Sequence, residues 1–381
     1  MKIIFNKSLS EIKKNDWDKL IPSNEYPFLK YDFLNLLESS NSVGRESGWV
    51  PMHLTLEEKG KIIAAIPLYL KNHSQGEFVF DHSWANAFYQ HNLDYYPKLV
   101  SSIPHTPATG PRILIDKKYN LKDLMPIIID AIKSVAESNN ISSWHILFPE
   151  EIELDVYRKC SLSVRKNAQF IWFNEDYKDF DDYLNFFRAR HRKNVKKERE
   201  KLSQQNLQID HYSGADLTQN LMDNFYAFYL STNLKRSGHE GYLTEQFFKD
   251  AIKYLSKNIV LMMATEKLSN KIVGGSFFFK DKENLYGRYW GCLKEYDCLH
   301  FECCYYQGID YCIKNNLKKF DPGVQGEHKI KRGFKPTETF SAHWIADERF
   351  RTAIDDFVIK EESHIRNYVN EAKKYLPFKI I

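Results

Sequence analysis

Apolar residues recur along this chain in two ways: as alternation over short runs, and at a spacing of three or four over longer ones. In the first half, residues 2–5 read as a strand and 9–20 as a helix. Phe28, Tyr31, Phe33, Leu34 and Leu37 fall near helical spacing and predict a helix over 27–39. Residues 52–57 and 62–70 read as strands joined by a hairpin turn at Lys59-Gly60. Strands at 78–80 and 112–115 precede a strongly periodic helix at 121–139, and a strand at 143–148 stops at Pro149.

The second half opens with a strand at 170–173, followed by helices at 179–187 and 188–205 and a strand at 207–212. Helices at 217–232 and 244–255 lead into an antiparallel meander at 259–265, 271–279 and 285–292. Within it Gly274-Gly275 marks a bulge or a point of close approach. A helix at 300–315, strands at 318–321 and 338–344, and a terminal helix at 350–375 complete the pattern. Meander, helix and strand thus recur in both halves. That order predicts an α+β fold of two similar modules, with mixed, mostly antiparallel sheets flanked by helices. The modules are placed at 1–165 and 166–381. The second carries the basic helix 188–205 and the long terminal helix.

Length agrees, because 381 residues exceed what one core usually supports. An aromatic fraction of 15% supplies large cores and argues against disorder. The formal net charge is only +4, so local clusters alone speak for anionic partners. Six cysteines (Cys160, Cys292, Cys298, Cys303, Cys304, Cys312) lack metal or redox spacing and fit reduced thiols. The apolar run at the start is too short for a signal peptide, and no stretch approaches membrane-spanning length. A cytoplasmic protein is the expectation.

Candidate chemistry concentrates between Arg288 and His343. Arg288 and Trp290 stand in an aromatic strand, and His300 and Glu302 open the next helix. The run from Gly323 to Phe334 then packs Glu327, His328, Lys329, Lys331 and Arg332 between glycines. Glycines admit close backbone approach, and clustered cations hold anions. Acyl transfer to an amine needs that amine neutral, so Glu327 or His328 is the candidate base. Lys329, Lys331 and Arg332 suit donor phosphates, arginine by its bidentate fork. Glu302 is a further catalytic candidate, or simply an acid suited to the positive end of a helix. No helical His pair or cysteine spacing supports a metal site.

On the helix 188–205, Arg188, Arg192, Lys196 and Arg199 fall on one face, flanked by Lys193 and Lys197. Such a stripe, with Arg190, fits an RNA backbone and equally fits a solvated helix surface. Base-stacking aromatics are absent from it, so sequence-specific reading is not expected; no DNA partner is expected. In the first half, residues 71–112 mix acids, imidazoles and aromatics with prolines and glycines, including Asp81, Trp84, Tyr95 and Tyr96. They read as the wall of a substrate groove or as a rigid seam.

Several of these stretches together resemble the FemAB-like proteins of peptidoglycan biosynthesis/recognition, a branch of the GNAT acyltransferase superfamily. The resemblance spans nearly the whole chain. It is carried by Gly48-Trp49-Val50-Pro51, residues 67–71, 76–87, 95–99 and 106–112, His191-Arg192-Lys193, Tyr289-Trp290-Gly291-Cys292, and residues 299–307, 323–334 and 336–339. It implies two tandem GNAT-like modules and an acyltransferase. The donor would be aminoacyl-tRNA or an acyl-CoA as co-substrate, with no tightly bound cofactor, and the acceptor an amine such as a cell-wall precursor or a small metabolite. A non-catalytic glycan- or RNA-binding module is the other reading. Enzymes that use acetyl-CoA usually open the corresponding helix with a glycine-rich turn. Here it opens Leu299-His300-Phe301-Glu302. Glu327, His328 and Glu302 are the expected catalytic residues. Lys329, Lys331, Arg332, Arg288, Trp290, His300, Trp84, Asp81, Arg190 and Lys193 are the expected substrate contacts.

Overall fold

The alternating runs of the first half fold into two sheets in a computed structural model that describes residues 1–22, 25–324 and 326–379. Two compact units result, one of 1–168 with 338–368, the other of 169–337 with 369–381. The first unit therefore takes a strand and most of a helix from the far end of the chain.

In that unit, Lys2–Asn6, His53–Glu58, Lys61–Ile66 and Leu114–Ile115 form an antiparallel sheet in this order. The hairpin between its middle strands turns at Lys59 (φ 49°) and Gly60 (φ 73°), the paired left-handed residues that suit strand twist. A second sheet runs 338–345, Ser143–Leu147, Lys98–Ser101, Leu68–Lys71, Trp49–Pro51. Only Lys98–Ser101 and Ser143–Leu147 pair in parallel. The apolar face of helix Leu121–Ser138, with Leu124, Met125, Ile128 and Ile132, joins Leu54, Ile66, Trp144 and Ala342 in one core.

The expected strand at 78–80 does not form; its apolar triplet leads instead into helix His82–Gln90. Pro67 divides the expected strand 62–70 into Lys61–Ile66 and Leu68–Lys71. Residues 9–20 likewise break into two short helical turns.

The second unit holds Leu207–Ser213, Ile259–Glu266, Lys271–Lys280, Asn284–Cys292, Lys319–Asp321 and 169–173, in this order. All neighbours are antiparallel except Asn284–Cys292 with Lys319–Asp321. The glycine pair 274–275 does permit close approach, since a Cβ on Gly275 would lie 2.5 Å from Met263 Sδ. Helix Gln219–Ser237 starts on the Thr218 hydroxyl and stops at left-handed Gly238, as N-cap and C-cap chemistry dictate. It crosses the strand Asn284–Cys292 so closely that a Cβ on Gly291 would lie 2.3 Å from the Phe228 backbone. Trp172, Phe180, Tyr183, Phe278, Tyr306 and Phe320 build this unit's core. Among the described residues no helix is long and apolar enough to cross a membrane.

Candidate active site

Strand Asn284–Cys292 loses regular pairing on both sides at one point. Its parallel ladder with Lys319–Asp321 ends at Tyr286↔Asp321. On the antiparallel side, Phe278 pairs with Gly287 and Phe277 with Tyr289, so Arg288 is the extra residue of a bulge. Bulges re-aim side chains and collect beside active sites. Diverging parallel strands open crevices at their carboxyl ends. Here the opening is a hollow of about 280 Å³ lined by Arg288, Trp290, His300, Tyr305, Arg236 and Lys329.

Two side chains hold this parting in shape. Arg288 Nη2 donates to Asp321 Oδ2 at 2.9 Å, and Asp321 Oδ1 accepts the Gly323 amide at 2.9 Å. Beyond them, Gly326 (φ 97°) and Gly333 (φ 88°) bracket a 3₁₀ turn over Glu327–Arg332. The sequence alone reads as a loop there; its next neighbour Gln325 lies outside the described residues. The turn buries Lys329, Ile330 and Arg332 and exposes Glu327, His328 and Lys331. Lys329 is 2% exposed, and its Nζ donates to the carbonyls of Gly323 at 2.6 Å and Val324 at 3.4 Å. Burial pulls its pKa down to about 8, against the opposing pull of Asp321.

The helix that follows the bulged strand starts after Cys298 in a left-handed conformation, and widens to a π turn over Glu302–Tyr306 before resuming at Gln307–Lys314. Such turns insert a residue and are frequent at functional sites. This one brings Tyr305 to the hollow, where its hydroxyl shares a hydrogen bond of 2.9 Å with His328 Nε2. His300 meets Trp290 and Tyr305 edge-on, each at 5.5 Å between ring centres. Burial, with Arg236 and other cations adding, depresses the His300 pKa to about 3, so its imidazole is neutral. Burial, then Arg332 and Lys329, also lowers His328 below the usual 6.5.

A second hollow of about 780 Å³ is lined by Arg190, His191, Glu327, His328, Lys331 and Arg332, among others. Arg332 is committed within it, its Nη2 donating to both oxygens of Glu198 at 2.9 and 2.8 Å.

The structure thus gathers Arg288, Trp290, His300 and Lys329 at one hollow and Arg190, Glu327, His328, Lys331 and Arg332 at the other. Glu302 lines neither. It is 4% exposed and engaged by Arg199 at 3.0 Å and by Gln307 at 2.7 Å. Lys193 is exposed on the basic helix and lines neither. Asp81 and Trp84 are buried in the first unit. There Asp81 is paired with Lys98 and Tyr95, and Trp84 stands edge-on to His343 at 4.8 Å.

Tyr305, Arg236 and Glu198 escaped the sequence reading. Tyr305 sits in a Cys-Cys-Tyr-Tyr run whose composition reads as packing. Arg236 ends an otherwise ordinary helix. Only Glu198 left a signal, as the first acid within the run of cations.

No curated protein matches the chain. Among solved structures, FemX superposes with a TM-score of 0.53 at 11% identity, over 93% of this chain and 100% of FemX. The C-terminal domain of a protein named as a lysylphosphatidylglycerol synthetase of Agrobacterium fabrum gives 0.54 at 10% identity, over 92% and 97%. A conserved Bacteroides thetaiotaomicron protein of unknown function gives 0.52 at 10% identity, over 90% and 99%. At such identities the likeness is one of fold, and it agrees with the expected α+β architecture. The family profile for peptidoglycan biosynthesis/recognition matches residues 8–380, and the chain belongs to the FemAB-like family.

Proposed function

We propose that this protein is an N-acyltransferase that moves an aminoacyl group from aminoacyl-tRNA to an amine, such as that of a cell-wall precursor. The reaction would run in the 280 Å³ hollow of the second unit. The observation that carries this reading is the meeting of Lys329 and Tyr305 in the hollow beside the Arg288 bulge, with the Tyr305 hydroxyl 2.9 Å from His328 Nε2.

The chemistry follows from those groups. The acceptor nitrogen attacks the ester carbonyl carbon, forming the C–N bond and a tetrahedral oxyanion. The Lys329 ammonium, fixed by two carbonyls, has a third N–H to offer that oxyanion. The nitrogen's surplus proton passes to the Tyr305 oxygen as the Tyr305 proton passes to His328 Nε2. Collapse breaks the ester C–O bond, and the ribose oxygen leaves with the proton from His328. Ester-to-amide transfer is downhill, so orientation and proton handling carry the burden. Nothing in these steps calls for a metal or redox group.

Two observations favour the tRNA donor. Arg190, Arg192, Lys193 and Lys197 make no ion pair among the described residues, which leaves their charge for phosphates. The helix that would cradle a CoA pyrophosphate opens Leu299-His300-Phe301-Glu302, without the glycine turn whose backbone amides approach such a group. Radiolabelled aminoacyl-tRNA and acyl-CoA, offered in parallel with amine acceptors, test the proposal. Label is expected to pass from aminoacyl-tRNA into an alkali-stable amide. No transfer from that donor would overturn it.

A further inference from the structure

The basic helix Ala189–Gln204 and the turn Glu327–Arg332 are joined through one carboxylate. Glu198 accepts both Arg332 hydrogen bonds described above and also the hydroxyl of Tyr306. Arg332 in turn donates from Nη1 to the carbonyl of His328 at 2.8 Å, and its guanidinium lies 3.6 Å above the Phe301 ring. Arg332 is 6% exposed, so an unbalanced charge at that position would be costly. The carbonyl it grips belongs to the residue directly before Lys329. Glu198, Arg332 and the His328 backbone therefore form a short chain from the helix to the reacting groups.

We infer that Glu198 is a positioning residue: through Arg332 it ties the basic helix to the turn that carries His328 and Lys329. Docking of a polyanion along the helix and geometry at the hollow are then coupled, and Glu198 itself touches no reacting atom. This inference rests on the acyl-transfer reading.

Glu198→Gln keeps the size and removes the charge. In the transfer assay its kcat is expected to fall about tenfold or more, with KM for aminoacyl-tRNA within about twofold, because reacting groups are displaced rather than lost. The double variant Glu198→Gln with Arg332→Gln is expected to be no slower than Arg332→Gln alone, since the two act as a unit. A second readout needs no turnover. His328 is faced by Arg332, Lys329, Glu198, His300 and Tyr305, and Glu198 is the one that favours its imidazolium. Its titration, followed by NMR of labelled histidine, is expected to shift to lower pH in Glu198→Gln.

Should Glu198→Gln fail to fold, Tyr306→Phe removes another donor from the same carboxylate while leaving its charge in place, and is expected to lower kcat by less, without moving the His328 titration to lower pH. An unchanged His328 titration together with an unchanged kcat would overturn the inference. A wild-type protein inert with every donor would instead sink the acyl-transfer reading, and the titration alone would then decide for or against the tie.

Discussion

In the proposed transfer the chemistry turns on one buried charge, that of Lys329. An ammonium in a nearly closed site is disfavoured by desolvation, and Asp321 nearby restores only part of the loss. Its charge is present at neutral pH and is lost as pH rises through about 8. In the proposed transfer His328 works in the opposite sense, since there it must be neutral, and it becomes so above a pKa that lies below 6.5. A bell-shaped kcat profile is expected, rising below pH 6.5 and falling near 8. Lys329→Arg should displace the alkaline limb upward, and Lys329→Met should lower kcat by about a hundredfold, as loss of an oxyanion donor does. An alkaline limb that stays near 8 in Lys329→Arg would remove Lys329 from the mechanism. A second buried lysine serves stability instead. Lys98 is 0% exposed and bridges Glu77 and Asp81. Lys98→Met leaves two buried carboxylates without their cation and should cost about 3–5 kcal/mol in denaturant unfolding.

Among the elements, the basic helix divides its charges. The Arg188 guanidinium bonds the Leu376 carbonyl, Lys196 pairs with Asp181, Lys201 with Asp297, and Arg199 with Glu302 and Asp310. The stripe read from helical spacing is thus partly spent on the protein itself, because spacing shows which residues share a face and not what packs against it. The cations left over are the ones expected to meet phosphates. Replacing Arg190, Arg192 and Lys193 with serine should weaken tRNA binding and flatten its dependence on salt, by roughly one in log–log slope per lost contact. Binding with an unchanged slope would assign those residues to a solvated face. Element positions were legible wherever one period dominated, as in helix Leu121–Ser138 and the meander Ile259–Cys292. They were not legible at His82–Gln90, where Phe78-Val79-Phe80 imitates a strand. Nor were they at Lys98–Ser101, a strand of four buried residues that opens with a lysine and so defeats alternation.

Across the whole molecule, the first unit depends on the chain's return. Residues 338–345 pair with Ser143–Leu147, and Ala342 and Trp344 enter its main core. A chain ended at Thr337 should therefore lose cooperative unfolding of that unit, visible as a missing calorimetric transition. A first unit that melts normally without residues 338–368 would contradict this dependence. Local order by itself carried most element types, the α+β class and the cluster of candidate residues from Arg288 to Arg332, because periodicity, glycines and clustered charge are written in neighbouring residues. Which of those charges face a crevice was decided by tertiary structure. The Glu198–Arg332 pair depends on residues distant in the chain. Pairing across 134 positions, as between Glu198 and Arg332, is a matter of packing that no local pattern encodes.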